Sequence, residues 1–106
     1  MEHILQDAGG FEDGSDIALK KDVADLTYGL DTVKLLKPRK FKWKSNSEDA
    51  IGFIAQEVES IIPEVVSESC PSGEVTSFKG MSYGHLTAVL VKAVQELEAR
   101  VKELEG

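Results

Sequence analysis

Apolar residues recur at heptad spacing through the last quarter of the chain, which is its longest regular pattern. From about Ser82 to Glu105 they fall at Tyr83, Leu90, Val94, Leu97, Val101 and Leu104, with Thr87 completing steps of four and three. The spacing predicts one long helix, with Val94 and Val101 at a and Leu90, Leu97 and Leu104 at d. Arg100 at g is placed to pair with Glu105 at e of a parallel neighbour. Leu86, Val91 and Ala93 widen the stripe beyond a two-helix seam, which fits three helices or docking on the globular part. Val at a with Leu at d fits two helices on simple rules, so the heptad leaves the number open. An amphipathic helix packed on its own domain gives a similar stripe, but this seam runs on to the last residues and predicts self-association.

Shorter patterns precede it. Ile17, Leu19, Val23 and Leu26 read as an extended or irregular lead-in. Leu26, Leu30, Val33 and Leu36 predict a helix over about 26–36, stopped by Pro38. Arg39 to Lys44 alternates base with aromatic, a strand signal that sends Phe41 and Trp43 to the core and the cations outward. Aromatics among bases also suit stacking of single-stranded nucleic acid, but two aromatics on one strand face more often serve a core. Residues 51–54 read as a strand entering a helix of about Ala55–Ile62, with Val58, Ile61 and Ile62 inward and Pro63 just beyond. Val65 and Val66 open another strand, Ser69 to Gly73 turns it, and Val75 to Phe78 returns it as a hairpin. Residues 1–14 differ: Ile4 and Leu5 suit a short strand, but Ala8-Gly9-Gly10 and Asp13-Gly14 are turn and linker chemistry. The chain therefore divides into the end of something upstream, 1–14, and a small α+β domain, 15–106, whose long helix spans 82–105.

Composition narrows the function. With 106 residues there is room for one core, at a size where assembly helps stability. The net charge is −7, yet residues 20–44 carry eight Lys/Arg against three Asp, so the remainder sums to −12. That imbalance lets front and back attract each other within or between copies, and argues against a nucleic-acid partner overall. Cys70 stands alone, giving no disulfide framework and no paired-cysteine metal signature. His3 and His85 are too few for a metal site or a Ser-His triad, and Gly73 and Gly80 form no phosphate loop. No cofactor is expected. No apolar run approaches membrane length and no basic n-region precedes one, so a soluble chain made in a reducing cytosol is expected, with no membrane partner.

Near the start, Ser15 is followed five residues later by Lys20. Alone, the pair reads as a solvated serine at a turn and a surface lysine. Other pieces change its weight. Ser15-Asp16, Leu19-Lys20 and Asp22 resemble an S-D-x-x-L-K-x-D opening. Residues 52–58 read G-F-I-A-Q-E-V and residues 63–66 read P-E-V-V, and the long helix carries Tyr83, Leu86, Leu90-Val91, Ala93 and Gln95-Glu96-Leu97. In this order and spacing, over about residues 15–105, the chain resembles the intramolecular chaperone auto-processing domain, also called the endosialidase chaperone or peptidase S74 domain. The resemblance implies a C-terminal module of phage tail fibres, tailspikes and neck appendages, and of some bacterial and eukaryotic surface or membrane-bound proteins. It implies a homotrimer that guides folding of an upstream β-helical stalk of the same polypeptide, in the host cytoplasm during virion assembly. The module then cuts itself off and is not expected in the mature virion. Ser15 is implied as nucleophile and new N-terminus, Lys20 as general base, Gly14–Ser15 as the bond broken, and Asp16 and Asp22 as supporting residues. Leu90, Val94, Leu97, Val101 and Leu104 are the implied trimer interface. One position departs: the family commonly has Arg where this chain has Ala18.

The implied chemistry sets requirements. A serine hydroxyl needs a base, and lysine serves only when its pKa, ordinarily about 10.4, falls toward neutrality through burial or nearby cations. Lys20 is therefore expected partly buried beside Ser15, with Lys21 assisting and Asp16 and Asp22 opposing if close. A single cut in cis needs no turnover, and no substrate pocket is expected. A non-cleaving trimerisation and folding module, purely structural, shares every element except the Ser15–Lys20 contact.

Overall fold

The structure, a computed structural model, describes residues 14–69 and 77–106. The strand suggested at Ile4-Leu5, the lone Cys70 and the first half of the returning strand at Val75-Thr76 lie outside the described residues. In chain order the elements are a 3-10 turn (Ile17–Leu19), α1 (Leu30–Val33), β1 (Arg39–Lys42), β2 (Asp49–Gly52), α2 (Ala55–Glu59), a second 3-10 turn (Pro63–Val65), β3 (Val66–Ser69), β4 (Phe78–Met81) and α3 (Tyr83–Glu105). β1 pairs antiparallel with β2, Phe41 opposite Ala50, and β3 pairs antiparallel with β4, Val66 opposite Met81. The chain is α+β, two small hairpins carried beside one long helix.

The centre is small. Val58 and Ile62 are each 1% exposed, and Val65, Leu86 and Val89 complete their cluster. α2 supplies Val58. The chain leaves that helix at Ser60 and turns Ile62 inward, and Pro63 opens the next turn, where its missing N–H costs nothing. Ser82 fixes where α3 begins. Its N–H donates to the Val65 carbonyl at 2.8 Å and its hydroxyl accepts the His85 N–H at 3.2 Å, an N-cap that also ties the helix to the core.

α3 is two-faced. Leu86, Val89 and Ala93 are buried against the domain, so Leu86 and Ala93 belong to docking. The heptad positions face away: Leu90, Val94, Leu97, Val101 and Leu104 are all exposed, as is Val91. Arg100, read as a partner for Glu105 of a neighbour, reaches instead to Asp31 of its own chain at 3.3 Å.

Two local expectations are corrected. The helix foreseen over 26–36 shrinks to four residues. Gly29 sits against the Glu96 side chain so closely that an added Cβ would lie 2.0 Å from Glu96 Oε1, and that oxygen accepts the Leu30 N–H at 2.7 Å. A contact 66 residues away in sequence thus sets the helix start, leaving Leu26 in the extended arm before it. Trp43 does not enter the core. It lies just past β1, its N–H on Glu48 and its ring edge-on to Phe41 at 5.0 Å, and 54% of it is exposed. Among the described residues, the core cluster does not extend to that end of the β1–β2 hairpin.

Among the described residues Leu90, Val94, Leu97, Val101 and Leu104 of α3 are 44% to 88% exposed. Much apolar surface remains uncovered in one copy. Ile62→Ala is expected to cost about 2–5 kcal/mol in urea unfolding, from lost burial plus a cavity. Leu104→Ala, at a side chain 88% exposed, should move the same transition of the dilute chain by no more than about 0.5 kcal/mol.

Candidate functional site

The arm ahead of α1 is shaped by its own side chains. Asp16 caps the first 3-10 turn, with Oδ1 accepting the Ala18 N–H at 2.9 Å. The Leu19 N–H then donates to the Asp16 carbonyl at 2.9 Å and the Lys20 N–H to the Ile17 carbonyl at 3.0 Å. One tight turn folds position 20 back toward position 15. Lys20 Nζ donates to Ser15 Oγ at 2.8 Å. Asp22 follows at φ 54°, a left-handed conformation that Asp tolerates better than most residues, and bends the arm away. Asp16 and Asp22 therefore act on the backbone; neither carboxylate hydrogen-bonds to Ser15 or Lys20 among the described residues. The Ala18 methyl adds no polar contact.

The expected proximity is present and the expected burial is not. Ser15 and Lys20 are both exposed, and no layer among the described residues covers the arm. Ile17 and Val23 are about as open, at 71% and 70%.

The pair stands at the mouth of a cleft of about 770 Å³. Its lining includes Gly14, Ser15 and Lys20 of the arm, Ile62 and Val65 of the core, and Gly84, His85 and Ala88 of α3. Leu26 and Tyr28 close one end with Glu64. The Tyr28 hydroxyl donates to Glu64 Oε1 at 2.8 Å, and this bond to a carboxylate raises the phenol's pKa above its ordinary value. At roughly 100° per residue along α3, the cleft-lining positions lie on the face opposite the heptad seam. An assembly formed along the seam leaves the cleft open.

Ser15, where this geometry begins, is also where similarity to known proteins begins. The peptidase S74 family model, described as chaperone of endosialidase, matches residues 15–67, from the arm into β3. The chain belongs to the endosialidase chaperone family. It is also 34% identical, over 87 residues, to the long tail fiber protein Gp37 of Enterobacteria phage M1 and to that of Enterobacteria phage Ox2. That match takes in 82% of this chain and 32% of each relative, so the chain spans about a third of the length of the curated relatives it matches.

The sequence reading grouped Gly14, Ser15 and Lys20, and the structure brings them to one cleft whose other lining residues that reading did not assign to the site. Glu64 was visible as part of the P-E-V-V motif, without a role. Tyr28 gave no signal, since its partner is 36 residues away. His85 was read as a cap, packing or interface residue; its backbone is capped by Ser82 and its side chain lines the cleft.

The Tyr28–Glu64 contact is open to measurement. With Tyr83→Phe, Tyr28 becomes the sole tyrosine, and its alkaline absorbance transition should lie above the ordinary value near 10. Glu64→Ala should return it toward that value. The neutral phenol is the donor, so its stabilisation is complete below the unfolded pKa and is lost as pH rises through the raised folded one. A transition indifferent to Glu64→Ala would refute the contact.

Proposed function

We propose that residues 15–106 form an intramolecular chaperone that assembles as a homotrimer, assists folding of an upstream fibre stalk in the same polypeptide, and releases itself by cutting the Gly14–Ser15 bond. The observation that carries the reading is the 2.8 Å contact between Lys20 Nζ and Ser15 Oγ at the first residue of the family match. Lys20, as the neutral amine, takes the hydroxyl proton while Oγ attacks the Gly14 carbonyl carbon. The tetrahedral adduct collapses with cleavage of the C–N bond, and the Ser15 nitrogen leaves with the proton returned by Lys20. Gly14 is then held to Oγ as an ester. Water hydrolyses it, giving a Gly14 carboxylate and Ser15 as a new N-terminus, and no cofactor enters the balance.

Self-association is supported by α3, 23 residues long with Leu90, Val94, Leu97, Val101 and Leu104 exposed in one stripe. A contiguous apolar surface of that kind marks an interaction site, and Val91 beside it suits three helices better than two. The work belongs to virion assembly in the host cytoplasm, before the module departs.

The exposure of Lys20 and the Ala18 that replaces the family's usual Arg favour a second reading, a trimerisation and folding module that does not cut. Intact mass spectrometry of the purified chain over time separates the two. Wild type should lose residues 1–14. Ser15→Ala should stay whole, and Lys20→Ala should slow by about 10²-fold or more, the scale of general-base catalysis. A whole wild-type chain that light scattering finds trimeric would leave only the structural module. A monomer at all concentrations would overturn the assembly.

A further inference from the structure

The cleft beside Ser15 and Lys20 is shaped for a peptide, and one segment is bound by covalent geometry to lie near it. Gly14 forms part of its wall. Phe11 is three residues earlier, so its Cα lies within about 10 Å of Gly14 in any conformation. The stretch Phe11-Glu12-Asp13 offers one large apolar side chain and two carboxylates.

The cleft complements that chemistry. Leu26, Ile62, Val65, Ala88 and Val89 give it an apolar lining, and at about 770 Å³ it falls within the range of ligand pockets. Its polar groups are Lys20, His85, Ser82 and the Tyr28–Glu64 pair. Glu64 is engaged by the Tyr28 hydroxyl, whereas the His85 imidazole has no hydrogen bond among the described residues. The His85 imidazole thus supplies the donor group that Glu12 and Asp13 call for. The cleft also lies opposite the α3 seam, so assembly along the seam does not fill it.

We propose that this cleft is the subsite for the residues ahead of the scissile bond, with Phe11 seated on the apolar lining and Glu12 and Asp13 toward His85. The inference deepens the self-cleavage reading and rests on it for its purpose: the occupied cleft holds the Gly14 carbonyl against Ser15 Oγ and covers the exposed Lys20. Productive orientation of this kind, rather than recognition of a free substrate, is what a single cut in cis requires.

The binding step is tested apart from cutting. The full chain carrying Ser15→Ala and Cys70→Ser receives Phe11→Cys with Ala88→Cys, is oxidised with oxidised glutathione, and is weighed intact without reductant. The expected product is a within-chain disulfide, a loss of two hydrogens with no dimer mass, formed at least ten times faster than with Leu104→Cys in place of Ala88→Cys. Equal rates for the two pairs, or a disulfide joining two chains, would overturn the proposal whether or not wild type cuts. In the cutting-competent chain, Phe11→Ser should slow loss of residues 1–14 about tenfold with the unfolding midpoint unchanged, and Phe11→Leu should restore most of the rate. Unaltered cutting by Phe11→Ser would also overturn it. A wild type that never cuts, with the fast within-chain disulfide still formed, would refute the self-cleavage reading and leave the subsite standing.

Discussion

The structure depends on one contact between layers: Leu86 and Val89 of α3 laid over Val58, Ile62 and Val65. Among the described residues no other cluster is so buried. The side chains are aliphatic and nearly sealed, so removing one leaves a hole that a core this small cannot close. Ser82 places the contact, since it joins the Val65 backbone to the first turn of the helix. From there α3 runs beyond the globular part, carrying its apolar stripe into solvent. The described residues thus combine a small interior with a stripe of uncovered apolar surface, the feature on which the proposed self-association rests.

The peripheral elements are held by polar contacts. Arg39 meets Glu57 with two hydrogen bonds, 3.0 and 2.7 Å, tying β1 to α2 and holding the Glu57 carboxyl below its ordinary range. Lys79 reaches Glu59 at 3.1 Å from β4. Glu96 caps α1 from the middle of α3, and Arg100 meets Asp31 one turn further on. Of these contacts Arg39–Glu57 joins the basic stretch of 20–44 to an acid beyond it, whereas Lys79–Glu59 lies outside that stretch and Arg100–Asp31 runs the opposite way. Being solvent-exposed for the most part, they set orientation more than stability.

What the sequence disclosed follows the range of the interactions involved. α3 was legible because 23 residues repeat one period, and α2 because Val58, Ile61 and Ile62 sit between turn signals. The Ser15–Lys20 contact was legible because everything that makes it, the Asp16 cap included, is local. The start of α1 was hidden because Gly29 answers to Glu96, far along the chain. Trp43 was misplaced because base–aromatic alternation predicts a two-faced strand without saying whether anything covers the apolar face. Burial of Lys20 was expected from chemistry alone, and chemistry does not say which part of the molecule supplies the cover. Tyr28 and Glu64 were out of reach for the same reason as Gly29.

The opposed faces of α3 carry a consequence for timing. In a bundle joined along the seam, the clefts point outward, each beside its own serine and remote from its counterparts. No cleft then senses whether a sister bond has been broken. If the proposed trimer and self-cleavage hold, processing under that arrangement would proceed as separate first-order events, passing through populations with one and then two severed strands. A fibre caught between those stages would keep its module tethered by whatever links survive, and only the last event would set it adrift.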